Sequence, residues 1–180
     1  MPAHLVSERV LLRPFHPEEA DALFEYRLAH SVPQLMRTTR AGIDRRVARS
    51  GRFVDGRLDL AIESEGRLVG SVDGRRPAQA LPPGTFEIGI ELFEEEDRGR
   101  GLGTVAVELL VGYLFEALRA ARVQAGTATW NTPMQRLLRR IGFVEEGLMR
   151  AYMPAAEGGR DDYLLFGITR AEWLARGASS

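Results

Sequence analysis

The sequence predicts a mixed α/β (α+β) fold: a mixed sheet of about seven strands with helices on both of its faces. Three observations carry that expectation. Residues 104–118 and 134–141 repeat apolar side chains at the i, i+3, i+4, i+7 spacing of a half-buried helix. Short β-prone runs, bounded by glycine and proline, lie before, between and after those helices. The resulting order, β-α-α-β-β-β-α-β-α-β-β, interleaves strands with helices instead of segregating them.

Taken in order, residues 9–15 read as the first strand, closed by Pro14 and Pro17. Residues 18–29 read as a helix with Ala20, Leu23, Phe24 and Leu28 on one face. Residues 31–51 read as a loop holding a short helix around 43–48. The runs 58–64 and 68–72 form a hairpin turned at Glu65-Gly66. A loop rich in Pro and Ala, residues 75–84, leads into the fourth strand, residues 86–93. In the long helix after it, Val107, Leu110, Val111, Leu114 and Leu118 form the buried stripe. Residues 122–129 read as the fifth strand. Met134, Leu137, Leu138 and Ile141 line the next helix, and Gly142 sits where a left-handed residue stops it. Residues 143–152 and 163–168 read as paired strands around the loop 154–159, and residues 170–175 as a closing helix. With 180 residues and no repeat or linker, one domain (1–180) is expected.

Composition narrows the function classes. A hydrophobic content of 44% with 27% charged residues is that of a soluble globular protein. No apolar run is long enough to span a bilayer and the start lacks a signal-peptide core, so a cytoplasmic protein without a membrane partner is expected. The absence of cysteine removes disulfides, thiol nucleophiles and thiolate metal sites. His4, His16 and His30 have no metal-site or triad spacing, so no metal is expected. A net charge of −1 argues against nucleic acid as a partner. All 24 basic residues are arginine, which reflects genomic base composition, not function.

The most informative stretch is Arg98-Gly99-Arg100-Gly101-Leu102-Gly103-Thr104, set between a strand and a helix. Alternate glycines let the backbone turn tightly and present bare N–H groups. The helix start adds its own unpaired N–H groups and the positive end of its dipole, which together suit a pyrophosphate. A Walker loop is excluded because it needs a lysine and the chain has none. Residues 101–106 fit the dinucleotide pattern G-x-G-x-x-A, but residues 122–129 lack the acid that would hold a ribose.

A third reading fits better. Arg98, Gly101 and Gly103 resemble the acyl-CoA signature Arg/Gln-x-x-Gly-x-Gly/Ala of the GNAT superfamily of N-acetyltransferases. Asn131-Thr132-Pro133-Met134, Leu137-Leu138 and Ile141-Gly142-Phe143 resemble that superfamily's second block. The opening residues 5–14, then Gly159-Arg160-Asp161-Asp162-Tyr163 and Glu172-Trp173, resemble the branch that acetylates N-termini of ribosomal proteins. The resemblance spans nearly the whole chain. It implies a mostly antiparallel GNAT sheet and acetyl-CoA as co-substrate. It further implies a primary amine as partner, at a peptide N-terminus or on a small molecule, in a monomer or homodimer.

The resemblance also implies roles for particular residues. Residues 98–104 would cradle the pyrophosphate, Asn131 would bond the pantetheine arm, and a backbone N–H at Leu92 or Phe93 would stabilise the oxyanion. Asn131 equally suits a helix N-cap ahead of Pro133. Glu87 sits where several relatives carry the base that takes the amine proton; Glu91 shares its strand face and is a second base or a substrate anchor. The usual acids are missing: Leu138 stands where many relatives have Tyr, and Met134 where the ribosomal branch often has Ser. Water, or Tyr113, Tyr152 or Tyr163, would then protonate the thiolate. That departure also leaves open a non-catalytic acyl-CoA-binding module. One of Arg136, Arg139 and Arg140 could face the ribose phosphate, with the rest solvated. Residues 94–97, all acidic, read as a solvated loop pointing away from the ligand. Acceptor contacts are expected from residues 26–40 and 150–162.

Overall fold

The computed structural model describes residues 2–30, 38–76, 79–155 and 158–177. It divides into two compact units: Met1–Asp73 with Ile90–Leu110, and Gly74–Gly89 with Val111–Ser180.

The first unit opens with a hairpin where a single strand is expected. β1 (Leu5–Val6) pairs antiparallel with β2 (Leu11–Arg13). Ser7 closes the turn between them: its hydroxyl accepts from the Val10 N–H at 3.0 Å and donates to the Val10 carbonyl at 3.1 Å. After a 3-10 turn at Pro17–Glu19 comes α1 (Ala20–His30), then α2 (Arg40–Arg49), capped by the Thr39 side chain, which accepts from the Gly42 N–H. The α1 stripe departs from expectation. Arg27, not Leu28, follows Ala20, Leu23 and Phe24 on the inward face, and Leu28 is 59% exposed. Seven residues from Ala20 complete two helical turns, whereas eight overshoot the buried face.

β3 (Arg57–Ser64) pairs antiparallel with β2, Leu12 opposite Ile62. The turn to β4 (Arg67–Arg75) has Glu65 at φ 53° and Gly66 at φ 75°, the left-handed pair of a tight hairpin. β5 (Thr85–Leu92) follows β4, and the two approach so closely that a Cβ on Gly70 would lie 2.2 Å from the Glu91 carbonyl oxygen. Phe15, Ala20, Leu23, Ile43, Val47 and Ala61 form the core beneath α1 and α2, with Phe24, Leu68 and Phe93 packed against it.

Arg13, 6% exposed, anchors this unit. It donates to both Glu19 carboxylate oxygens, at 2.6 and 2.8 Å, and to Glu63 at 2.6 Å. Arg13→Met is expected to cost about 2–4 kcal/mol, because it leaves Glu19 half-desolvated without its partner; Glu63, a quarter exposed, contributes less. Urea denaturation measures this as a lower midpoint at unchanged slope.

In the second unit, β5 runs parallel to β6 (Arg122–Ala128), with Phe86 opposite Val123. β6 pairs antiparallel with β8 (Arg160–Thr169), and β8 with β7 (Val144–Pro154) through two irregularities. α3 (Leu102–Glu116) runs from the first unit into the second, and its stripe residues Val107, Leu110, Val111 and Leu114 are fully buried. The helix stops before Leu118, which lies outside it. α4 (Thr132–Ile141) begins at the Asn131 cap and ends at Gly142, φ 96°, whose N–H reaches back to the Arg139 and Leu138 carbonyls. α5 (Arg170–Gly177) stacks Trp173 on Phe115 at 5.8 Å. Eight strands, mostly antiparallel, are thus described where about seven are expected; β1 is the addition. No helix among the described residues is long and apolar enough to cross a membrane.

Candidate active site

The glycine-rich loop belongs to the first unit. Gly99 (φ 72°) and Gly101 (φ 82°) take the left-handed conformation that side chains resist. Gly103 does not turn the chain: with Leu102 and Thr104 it lies in the first turn of α3. A Cβ at Gly99 would meet nothing within 4 Å, so the turn opens to solvent at that point. Arg9 holds the loop by donating to the Arg100 carbonyl at 2.8 Å, and Arg100 reaches Glu65 at 3.0 Å. The exposed Arg98 lies close enough to the Leu92 carbonyl to donate at 3.4 Å.

The acidic run behaves differently at its two ends. Glu94, Glu95 and Glu96 are exposed as expected, but Asp97 is fully buried. It accepts from Arg67 at 2.5 and 2.9 Å and from Arg100 at 3.3 Å, so it is the peg on which the loop is set. The Arg67 hydrogen bonds hold its carboxyl below the usual range, against the opposing effect of burial. A depressed carboxylate adds stability that is present above the unfolded pKa and lost as pH falls through the folded one. Asp97→Asn is therefore expected to lower Tm at neutral pH, with the gap to wild type closing below about pH 4. Thermal melts from pH 3 to 7 check it.

Glu91 sits at the β5 end of a polar stripe on the sheet. Alternation puts Asp59 of β3, Ser71 and Asp73 of β4, and Glu91 of β5 on the face that α1 and α2 cover. Arg27 of α1 donates to Glu91 at 2.9 Å, and the Ser71 hydroxyl lies 3.4 Å from the same oxygen. Burial pushes the Glu91 carboxyl up, and Arg27, Arg46 and Ser71 only partly offset it against the further push from Asp73. Tyr26 packs against Phe93 beside it, the two rings tilted with centroids 4.6 Å apart. The Phe93 N–H is engaged, donating to the Val69 carbonyl at 3.0 Å. Strand alternation therefore sends the Leu92 N–H to the opposite edge.

Beside that stripe lies a pocket of about 340 Å³ under α1 and α2. Arg27, Arg45, Arg46, Arg49 and Arg57 line it against Asp55 and Asp59. Arg46 bonds Asp59 at 2.5 Å, and Arg57 bonds the same carboxylate at 2.9 Å while lying 3.4 Å from Asp73. Of this set the expected range 26–40 reaches Arg27 alone; sequence reasoning misses the others. The available signal is an acid between leucines, Leu58-Asp59-Leu60, at the start of a mostly apolar strand. The acceptor residues expected at 31–37 lie outside the described residues.

The remaining candidates belong to the second unit. Glu87 is half-buried and paired with Arg75 at 2.9 Å. Asn131 accepts from the Met134 N–H at 3.2 Å, the N-cap role, which leaves its amide nitrogen uncommitted by the cap. Leu138 is fully buried and Met134 partly so; neither carries a proton. Tyr163, raised by burial and by Asp161, stands 5.6 Å from Tyr152. Arg136, Arg139 and Arg140 are exposed, and Arg139 pairs with Glu145 at 2.6 Å. In the segment 150–162, Arg160 donates to the Tyr152 carbonyl at 2.6 Å, and Asp162 accepts from the Ala151 N–H at the same distance; residues 156–157 are not described. No group of three or more His, Asp or Glu forms a metal site among the described residues.

Comparison with known proteins agrees with this geometry. The family model described as "Acetyltransferase (GNAT) domain" matches residues 9–144, reaching into both units. An uncharacterized N-acetyltransferase, p20, of Bacillus licheniformis is 29% identical over 178 residues, covering 94% of this chain and 97% of its own. A solved structure of Mycobacterium smegmatis RimJ in complex with CoA-disulfide superposes with a TM-score of 0.73 at 25% identity, covering 98% of this chain and 95% of that one. The ribosomal-protein-S5-alanine acetyltransferase of Vibrio fischeri gives a TM-score of 0.77 at 20% identity, over 95% of this chain and 98% of that one. A left-handed glycine loop opening a helix, with a family model spanning most of the chain, leads to one conclusion: this chain belongs to the GNAT family of acyl-CoA-dependent N-acetyltransferases.

Proposed function

We propose that the chain acts as one domain in the cytoplasm, moving an acetyl group from acetyl-CoA to a primary amine of a peptide N-terminus or a small molecule. Acetyl-CoA brings the activated thioester; the protein binds, orients and deprotonates. The residues present fit it: Gly99, Arg100, Gly101 and the first turn of α3 (Leu102, Gly103, Thr104) offer N–H groups and a helix dipole to the pyrophosphate, with Arg98 as the nearby cation. Asn131 donates its amide nitrogen to the pantetheine arm. The Leu92 N–H, directed away from β4, is the donor to the thioester oxygen, because the Phe93 N–H is occupied.

The observation that carries the mechanism is Glu91, half-buried, raised in pKa and held by Arg27. Such a carboxylate is closer in basicity to an amine than an exposed one, and takes the proton from the attacking nitrogen. Glu87, ion-paired to Arg75 and more open, is the second candidate. Leu138 and Met134 supply no acid, so the departing thiolate takes its proton from water or from one of Tyr113, Tyr152 and Tyr163.

A thiol-release assay with acetyl-CoA and a panel of amines and short peptides tests the reading. Sustained, acceptor-dependent release supports it. CoA binding without acceptor-dependent release across the panel would instead mark a binding module.

A further inference from the structure

The arginine pocket holds buried guanidinium N–H groups that its own carboxylates do not reach. The Nε of Arg27 and the Nη2 of Arg46 are buried with no hydrogen-bond partner among the described residues, Arg46 Nη2 lying 3.9 Å from Asp73. Buried donors without an acceptor are costly, and a guanidinium among others of its kind is doubly so. Arg27 has its pKa lowered by burial and then by Arg46, which expresses that same crowding. A bound anion removes both penalties: it accepts the orphaned N–H groups and separates the two positive charges.

We propose that the acceptor amine carries a carboxylate, which docks against Arg27 and Arg46 in this pocket. This rests on the acetyl-transfer reading and names its acceptor class. Arg27 fixes the spacing, since its Nη2 is bound to Glu91 and its Nε faces no protein acceptor. An amine delivered to Glu91 and a carboxylate delivered to Arg27 Nε are therefore only a few bonds apart in the acceptor. A free α-amino acid has that separation, and so does a peptide N-terminus whose first side chain is acidic. A purely cationic amine would meet five arginines against two aspartates, both already paired.

Two matched pairs of acceptors test this: leucine against leucinamide, and Asp-Ala-amide against Asn-Ala-amide. Each is titrated by calorimetry into the CoA-saturated protein, and each is assayed for kcat/KM with acetyl-CoA. At least one acid is expected to exceed its neutral partner by about 10–100-fold, the range of a charge-assisted bidentate contact. The pair that responds identifies the source as a free amino acid or an acidic peptide. Arg46→Gln is expected to collapse that ratio, and Arg46→Lys to restore part of it. Acid selectivity in binding without turnover keeps the anion pocket and removes the acetyl-transfer reading at this site. Equal behaviour of acid and amide in both pairs, no binding of any of the four, or a ratio that survives Arg46→Gln in a folded protein overturns the proposal. The wild-type comparison alone decides if Arg46 variants fail to fold.

Discussion

Glu91→Gln is expected to lower kcat/KM for acetyl transfer at neutral pH by roughly 10²–10⁴, with CoA affinity little changed. The substitution keeps the shape of the side chain and its contact with Ser71, and removes the basicity together with the charge that pairs with Arg27. Burial raises the Glu91 carboxyl, so the wild-type rate should fall on the acid side at a pH above the ordinary glutamate range. The variant should lack that limb, and raising the pH should partly rescue it, because more of the amine is then already neutral. Arg27 is the nearest charge favouring the ionised form, so Arg27→Met should move the wild-type limb to still higher pH. Glu87→Gln is the control: if it abolishes the rate while Glu91→Gln does not, the base is the other carboxylate. If neither matters, water takes the proton and the protein chiefly positions the reactants.

Gly101→Val is expected to weaken CoA binding by about 100-fold or more while the fold persists. At φ 82° a β-branched residue is strained by about 1–3 kcal/mol, and the loop relaxes by abandoning the conformation that presents its N–H groups. The Cβ itself meets only Arg9 at 3.5 Å, an ordinary contact, so the effect comes from the backbone, not from a clash with the protein. Gly103→Val should cost less than Gly101→Val, because Gly103 is already helical. Calorimetry with CoA on both variants separates the two glycines, and equal losses would mean that the turn is not what holds the phosphates.

Much of this architecture is legible in the sequence where one physical signal dominates. The long helix shows because four of its stripe residues must all reach the core, and the α4 cap shows because Asn131, Pro133 and Gly142 each have one favoured place in a helix. The Glu65-Gly66 turn shows for the same reason. The failures share a cause as well. Periodicity assigns Leu28 to the buried face on hydrophobicity, yet the position belongs to Arg27, whose guanidinium pairs with Glu91. Asp97 looks like its solvated neighbours because nothing local reveals Arg67, thirty positions away, as its partner. The pocket arginines are invisible for that reason too: their roles come from Asp59, Asp73 and Glu91 arriving together on one sheet face. Charge pairing across strands is a tertiary fact, and a linear pattern records only that the charges exist.

The most direct measurement follows the acetyl group itself. Acetyl-CoA labelled in its acetyl carbons is incubated with the protein and a responsive amine, and the label on the amine is compared with the thiol released. Equal amounts of acetylated amine and free thiol, both lost in Glu91→Gln at neutral pH, are what the account predicts. Thiol released with the label recovered as acetate, or label remaining on CoA with every amine offered, would contradict it.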